Sequence, residues 1–506
     1  MATNLSGKTN STTASKAVSP AAGKLFSFPV AMCCLLAALA VITVRDHFDN
    51  NDLWWHLKIG QVIWTTHTIP TQDLFSYSAF HHPLVPQEWL SEVSIYFAYL
   101  FGGLRGLMVW FCVTASLLLI LGYLLSWFYS GNAKVAFAGA LVVCLFSVVG
   151  FAIRPQMISF VLLMAELLLM HAGRTRSPRW FWGLPIVFCL WINCHASFIL
   201  GIVVAGVYLG CSFFDFQWRW LVARRWEPVR QRMLTLSMVA SIAALFVNPA
   251  CWRQIYYPFD FLFHMPSLLK SIQEFAPLSL TDEPGIALVA VVLGCLLSAV
   301  TGKAPLRFEE LILLMLGAYL SFSHMRMLPI FGAFAGPIVA RMVSGFWDNY
   351  DRSKDRILPN AVVMGVSALA IILFFPGQKN LEAQVEAGSP VKAVEFMKQN
   401  HLGGPVLNDH AYGGYLMWEA PEYPVFIDSR TDVYVWNGVF DEYLKWSNRQ
   451  TAPSSLPDKY GANLCLVAAD SNRDHILSSL KNWQRVYSDE QAVIYVRRPA
   501  ADAKMP

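Results

Sequence analysis

Apolar positions in this chain come in long blocks, with the polar positions gathered between them. Apolar stretches sit near 26–44, 105–127, 133–151, 157–172, 180–196, 198–214, 233–249, 286–302, 310–323, 328–344 and 359–376. A helix needs about 20 apolar residues to cross a bilayer, so the pattern predicts about eleven transmembrane helices. The stretch 90–103 is shorter and amphipathic, and is expected to lie at the interface or to lead into the second span. The paired blocks around 190–200 also read as one re-entrant hairpin. Residues 1–25 are a low-complexity run of Ser, Thr, Ala and Lys, expected to be a disordered cytoplasmic tail. Ala38-Leu39-Ala40 offers a small-residue cleavage site, but apolar residues continue past it, which favours an uncleaved anchor over a signal peptide.

The charges between the blocks then set the sides. Loops following even-numbered blocks carry Lys134, then Arg174, Arg176 and Arg179, then Arg219, Arg224, Arg225, Arg230 and Arg232. Later ones carry Lys303 with Arg307, and Arg352, Lys354 and Arg356. The positive-inside rule therefore places the N-terminus in the cytoplasm and the C-terminal region outside. The same parity puts on the outer side the loop 45–89, Arg154-Pro155-Gln156, Asn193 to His195, Asn248-Pro249, the loop 250–285 and His324-Met325-Arg326. Polar residues unusual for a membrane protein thus converge on one face.

Beyond 376 the period changes. Pro405 to Asp409, Pro424 to Asp428 and Ala462 to Val467 read as short strands, with helical stretches at 390–400, 439–448 and 474–482 between them. Gln484–Ser488 and Ala492–Arg497, separated by Asp489-Glu490, read as an edge hairpin. Alternating strands and helices predict a small α/β domain with a mainly parallel sheet. The expected fold is a polytopic α-helical membrane protein with a soluble C-terminal α/β domain. Its divisions are a tail at 1–25, a membrane domain at 26–376 with a large first outer loop at 45–104, and an extracytoplasmic domain at 377–506.

Composition agrees: 55% of residues are hydrophobic and only 14% charged, against about a quarter charged in an ordinary globular domain. The net charge of +4 comes with no basic stripe and no nucleic-acid motif, which sets that class aside. Most of the ten cysteines lie inside apolar segments, none in paired metal-ligand spacing, and Cys465 stands alone after 376. All read as packing residues.

Candidate chemistry clusters in the first outer loop. It opens with Asn51-Asp52-Leu53-Trp54-Trp55-His56-Leu57-Lys58, continues through Ile69-Pro70-Thr71-Gln72-Asp73, and closes with Gln87-Glu88-Trp89-Leu90-Ser91-Glu92. In a helix starting after Asn51, Asp52 and His56 are i and i+4 neighbours. The bland alternative is that Asp52 caps a juxtamembrane helix anchored by its tryptophans. Arg154, Arg326, His324 and Lys58 are outer-face cations able to meet phosphate oxygens, with interfacial snorkelling as the alternative for the arginines. His195, ending Trp191-Ile192-Asn193-Cys194-His195, reads either as a hydrogen-bonded packing residue or as a site contact.

The sequence Asp52-Leu53-Trp54-Trp55-His56, followed by Ile69-Pro70 and Asp73, resembles the first-loop signature of the GT-C glycosyltransferases, multi-pass enzymes that use polyprenyl-phosphate-linked sugars. The resemblance implies that Asp52 activates the acceptor or helps to hold a metal, with His56, Asp73, Glu88 and Glu92 beside it. It also implies that a carboxylate of the long outer loop, Glu274 in Ser271-Ile272-Gln273-Glu274-Phe275, contacts metal or acceptor. A second resemblance lies in Asn408-Asp409-His410-Ala411-Tyr412-Gly413-Gly414-Tyr415 and Ile427-Asp428-Ser429-Arg430-Thr431, which are similar to the soluble domain of oligosaccharyltransferase catalytic subunits. It implies acceptor contacts at Tyr412, Asp428 and Arg430. The two tryptophans of that family's motif are missing here, so the acceptor stays open among glycan, lipid and protein. The glycine pair alternatively serves a tight strand-to-helix turn.

The expected activity is transfer of a sugar, hexosyl or pentosyl, from a polyprenyl-phosphate donor to an acceptor at the outer face, with inversion. In a bacterium this is the periplasmic face of the inner membrane. A divalent metal, Mg or Mn, is compatible with the site but not required by any ligand cluster in the sequence. A transporter or flippase is the alternative, weakened by the lack of an inverted repeat; a non-catalytic envelope scaffold is the third reading.

Overall fold

The computed structural model describes residues 25–48, 50–264, 276–301 and 304–498. The expected tail, Lys303 and Glu274 lie outside these residues. Every one of the apolar blocks is helical, as it must be where no water is at hand to satisfy backbone groups. Among the described residues, Trp89–Ser130, Ala133–Gly150, Gln156–Thr175, Glu283–Val300, Met325–Phe346 and Ile357–Phe374 are six helices long and apolar enough to cross a membrane. Leu184–Cys194 and Phe198–Cys211 are shorter; at 1.5 Å per residue they run roughly 16 and 21 Å, well short of a hydrocarbon core of about 30 Å. Leu358 and Ile372 on the last helix are 75% and 73% exposed, as lipid-facing side chains are. Trp89–Ser130 is two helices joined at Gly103, where the backbone leaves the helical region (φ 56°, ψ −138°). The stretch expected to lead into the second span does so through this bend.

Loop contacts sort themselves into two groups. At one end the strands β1 (Phe216–Gln217), β2 (Leu221–Ala223) and β3 (Leu306–Arg307) form a small sheet. Arg174 pairs with Glu309 there, and Arg341 with Glu310. These are the loops that the charge pattern puts inside. The loops it puts outside meet at the other end.

The C-terminal region holds β4 (Val406–Asn408), β5 (Leu464–Ala468), β6 (Trp483–Ser488) and β7 (Ala492–Arg497) in the order β4-β5-β7-β6. Only β4 and β5 run parallel; β5–β7 and β6–β7 are antiparallel, so the sheet is mixed rather than mainly parallel. The hairpin at its edge is as expected. The segment 424–428 is a bridge rather than a strand, with Val425 parallel to both Val406 and Ser76. The side chain of Asn408 replaces the ladder there, accepting from the Phe426 N–H at 2.8 Å and donating to the Ile427 carbonyl at 2.6 Å.

The bridge to Ser76 makes the first outer loop part of the C-terminal unit. Tyr77 N–H donates to the Val425 carbonyl at 3.0 Å. Trp54 packs edge-on against Tyr415 with ring centroids 5.2 Å apart and donates to Ser389 Oγ at 3.1 Å. Gly414 permits this docking, because a Cβ there would lie 2.9 Å from the Asn51 carbonyl oxygen. One hydrophobic core runs from the membrane helices through Trp54 and Leu57 to Tyr415 and Val406.

Candidate functional site

The helix Leu53–Thr66 lies against the start of Trp89–Ser130. A side chain at position 60 would forbid this: a Cβ on Gly60 would sit 2.3 Å from the Glu92 carbonyl oxygen. One turn earlier on the same face is His56, which therefore meets the carboxylates of the second helix. Its Nδ1 lies 3.3 Å from Glu92 Oε1 and 3.8 Å from Glu88 Oε2. Glu88 Oε1 is in turn 3.4 Å from His195 Nε2. The Ser197 N–H donates to His195 Nδ1 at 3.1 Å, which leaves Nε2 as the protonated nitrogen facing Glu88. Trp89 Nε1 donates to Asn193 Oδ1 at 2.7 Å and ties the two segments together.

Asp52 stands at the N-terminal end of the same short helix. Arg154 Nε lies 3.0 Å from Asp52 Oδ2 and donates to Asn50 Oδ1 at 3.0 Å. The Asp52 N–H donates to that same Asn50 oxygen at 3.1 Å. Arg326 donates through Nη2 and Nε to Gln156 Oε1, at 2.6 and 3.0 Å. These groups line a cavity of about 510 Å³. Asp52, His56, Glu88, Arg154, His195 and Arg326 come from the membrane-domain side, and His410, Ser429, Arg430, Thr431 and Asp432 from the C-terminal side. Tyr257 also lines the cavity and donates its hydroxyl to Asp432 Oδ2 at 3.0 Å.

Burial and charge oppose each other here. Burial acts to raise the Asp52 carboxyl, but the charges around it, led by the Arg154 guanidinium, hold it at about 2. Burial pushes Glu88 up to about 8 against the pull of Arg326. Burial also brings His56 and His195 down to about 3, so both imidazoles are neutral. The cavity therefore holds one firmly ionised carboxylate beside two arginines, and a second carboxyl that changes state near neutrality.

His56 Nδ1 and one oxygen each of Glu88 and Glu92 lie within 4.8 Å of one another, a three-donor set that no spacing in the sequence advertised. Nitrogen with two carboxylates suits a divalent ion such as Mn, and suits it better than Mg, which prefers oxygen and water.

Other expected residues fall elsewhere. Asp73, expected beside the catalytic carboxylates, is fully buried: its Oδ1 lies 2.7 Å from Arg430 Nη1, and its Oδ2 accepts from Ser76 N–H and Oγ. Asp428, expected at the acceptor, is also buried and takes Arg430 Nε and Nη2 at 2.8 and 2.6 Å, with the Tyr434 hydroxyl at 2.5 Å. The two carboxylates clasp Arg430 between the first outer loop and the C-terminal domain, because an arginine buried there needs its charge matched. Arg430 itself also borders the cavity. Lys58, six residues past Asp52 on the helix, turns away from the cavity and donates to Gln61 Oε1 at 3.1 Å. His324, which follows the helix Phe308–Ser323, is not among the residues lining the cavity. Tyr412 donates to the Gln491 carbonyl at 2.9 Å, and its neighbour His410 takes the cavity position. Sequence reasoning missed Tyr257, Asp432, Gln87 and His410. Asp432 lies one residue beyond the Ile427–Thr431 signature, and Tyr257 sits in an aromatic-rich outer loop with no motif of its own.

No protein-family profile and no curated protein sequence matches the chain. Solved structures do. The oligosaccharyltransferase of Archaeoglobus fulgidus, tethered with an acceptor peptide containing an NVT sequon, superposes with TM-score 0.56 at 14% identity, over 94% of this chain and 75% of that one. AglB from the same organism, in complex with an inhibitory peptide and a dolichol-phosphate, gives 0.51 at 12% identity, over 94% and 74%. ArnT from Cupriavidus metallidurans, bound to undecaprenyl phosphate, gives 0.51 at 13% identity, over 97% and 100%. At these identities the likeness is one of fold alone: the chain shares with these structures the architecture of a multi-pass helical membrane protein with a C-terminal α/β domain.

Proposed function

We propose that the chain is a glycosyltransferase that moves a sugar from a polyprenyl-phosphate-linked donor to an acceptor at the outer face of a bacterial inner membrane. The observation that carries this reading is the single cavity wall in which Asp52, Arg154 and Arg326 stand together at the outer-loop end of the helices. That dolichol-phosphate and undecaprenyl phosphate are bound by proteins of this fold supports a lipid phosphate as the donor's leaving group.

The chemistry needs little from the protein beyond charge and position. The bond between the anomeric carbon and the phosphate oxygen breaks, and the lipid phosphate leaves with the electron pair. The acceptor's heteroatom bonds to that carbon from the opposite side, with inversion, and gives up its proton. Asp52 is the group placed to take that proton. Arg154 and Arg326 stabilise the negative charge gathering on the departing phosphate, and being fixed beforehand they need no reorganisation at the moment of reaction. Glu88 and His195 line the same cavity from the membrane-domain side, with Asp432, His410 and Thr431 from the C-terminal side and Tyr257 beside Asp432. If a divalent metal serves the reaction, His56, Glu88 and Glu92 would hold it, and it would supply positive charge near the acceptor and phosphate.

Purified protein in lipid nanodiscs, given the cell's own extracted lipid-linked sugars and envelope acceptors, tests the reading. Release of free polyprenyl phosphate in step with sugar transfer is expected. No release under any acceptor, by a folded protein, would refute it.

A further inference from the structure

The main cavity borders two smaller spaces that have no lining residue in common. A cavity of about 330 Å³ shares with it Asn51, Arg154, Gln156 and Arg326. A recess of about 30 Å³ shares with it Trp55, Gln87, Glu88, Arg430 and Asp432. The arginines assigned to the lipid phosphate therefore belong to one region, and an indole and an amide to another.

The recess gathers two polar atoms that the fold leaves over. Trp55 Nε1 and Gln87 Oε1 are shut off from solvent, and neither has a hydrogen-bond partner among the described residues. Charged groups beside them are engaged: Arg430 by Asp73 and Asp428, Asp432 by the Tyr257 hydroxyl, Glu92 by His56. A buried donor or acceptor without a bond costs free energy, so one of each in a single recess marks a place for a partner. Both are held in position. The Trp55 ring lies against His56 with centroids 3.6 Å apart, and Gln87 follows a tight turn in which its N–H donates to the Val85 carbonyl at 2.8 Å. The adjacent tryptophans thus divide their work, Trp54 docking on Tyr415 and Trp55 facing the cavity.

A space of this size admits about one water or one hydroxyl, not a ring. Resting on the transferase reading above, we infer that one hydroxyl of a sugar ring enters the recess, accepting from Trp55 Nε1 and donating to Gln87 Oε1, while the ring lies in the main cavity. The pairing is selective because a hydroxyl both donates and accepts. An ammonium only donates and a carboxylate only accepts, so either leaves one of the two atoms unpaired, and a carboxylate also meets Glu88 and Asp432. A deoxy position leaves both unpaired. A site of this kind rejects the analogue that lacks the hydroxyl far better than an apolar pocket rejects an added one. The ring is that of the donor's sugar or of a glycan acceptor, and the chemistry read is the same.

Trp55→Phe and Gln87→Met each remove one bond and keep an apolar side chain in place. Two probes are used in nanodiscs: polyprenyl phosphate carrying no sugar, and the lipid-linked sugar that accumulates in cells lacking the gene. Each variant should lower kcat/KM for the sugar lipid by roughly 10- to 100-fold and bind the bare phosphate as the natural protein does. The double variant should lose less than the product of the two, because both bonds go to one hydroxyl. A lost preference for sugar lipid over bare phosphate places the hydroxyl on the donor; an unchanged preference with a raised acceptor KM places it on a glycan acceptor. Unfolding midpoints should stay level or rise, since each substitution removes a buried polar atom that lacks a bond. A double variant that unfolds earlier but keeps its kcat/KM where it is folded shows a recess filled by a structural water, and the inference falls. It falls equally if bare phosphate binding weakens in step with turnover. If the natural protein neither binds polyprenyl phosphate nor turns over the sugar lipid, the transferase reading fails first and takes this one with it.

Discussion

Asp73 and Asp52 belong to the same loop, and the structure gives them different surroundings. Asp73 is fully buried and pairs at 2.7 Å with an arginine that is itself 2% exposed. Asp73→Asn keeps an oxygen for the Ser76 N–H and hydroxyl but removes the charge that Arg430 is matched to, leaving Asp428 as its carboxylate partner. Breaking a buried pair costs about 3–5 kcal/mol; with the Ser76 hydrogen bonds retained, the lower end, about 3 kcal/mol, is expected. For an outer unit of this size that is a fall of about 5–10 °C in the unfolding midpoint. Asp52→Asn breaks a less buried pair, its partners 21% and 15% exposed, so a smaller loss is expected, on the order of 1–2 kcal/mol, between the surface and fully buried cases. Thermal unfolding in detergent, followed by tryptophan fluorescence, and turnover at a temperature where both variants are folded are then read together. Asp73→Asn should be less stable and active, Asp52→Asn stable and inactive. An Asp73→Asn protein as stable as the natural one, but with turnover lost, would return Asp73 to the chemistry and refute the clasp.

Other consequences are equally open to measurement. Asp52→Asn should lower turnover by about 10²-fold or more with donor binding retained, as expected when a proton acceptor is removed. Arg154→Gln should move the acid limb of the pH–rate profile upward: Arg154 lowers the Asp52 carboxyl, so without it burial raises that carboxyl and the ionised form is lost at higher pH as the medium is acidified. A profile unchanged from the natural protein would detach Asp52 from the titration. Gly60→Val should separate His56 from Glu88 and Glu92 and destabilise the outer helix pair, since a Cβ there meets the Glu92 backbone at 2.3 Å; wild-type stability and activity would contradict the packing. Manganese binding followed by electron paramagnetic resonance should appear with the natural protein and be lost in both His56→Ala and Glu92→Gln if that triad is a metal site. Binding that survives both substitutions places the ion elsewhere.

The sequence shows the membrane part of this fold plainly because a lipid-embedded backbone has one local solution. Each apolar block became a helix, and the loops parted into two groups as their charges implied. The C-terminal domain was legible in its elements but not in its pairing. Nothing local to Pro424–Asp428 announces that the Asn408 side chain takes over the ladder, or that Ser76, more than three hundred residues earlier, bridges to Val425. Asp52, Arg154, Arg326, His195 and Glu88, which line one cavity, were readable as candidates because polar residues near the ends of apolar helices are costly and so conspicuous. Asp73, Asp428 and Tyr412 were drawn in by motif proximity, although a motif says nothing of which way a side chain turns. His410 and Tyr412 show the limit well: two residues apart, one faces the cavity and the other bonds to Gln491. Tyr257 and Asp432 meet only when an outer loop and the C-terminal domain are folded together.

The central claim is that Asp52 serves sugar transfer from a lipid phosphate. Its most direct test compares lipid-linked sugars extracted from cells that carry the gene, lack it, or carry Asp52→Asn at equal protein level. One lipid-linked sugar should accumulate in the deletion, persist with Asp52→Asn, and disappear when the natural gene is restored. Unchanged lipid profiles in the deletion, or clearance of the accumulated species by Asp52→Asn, would contradict it.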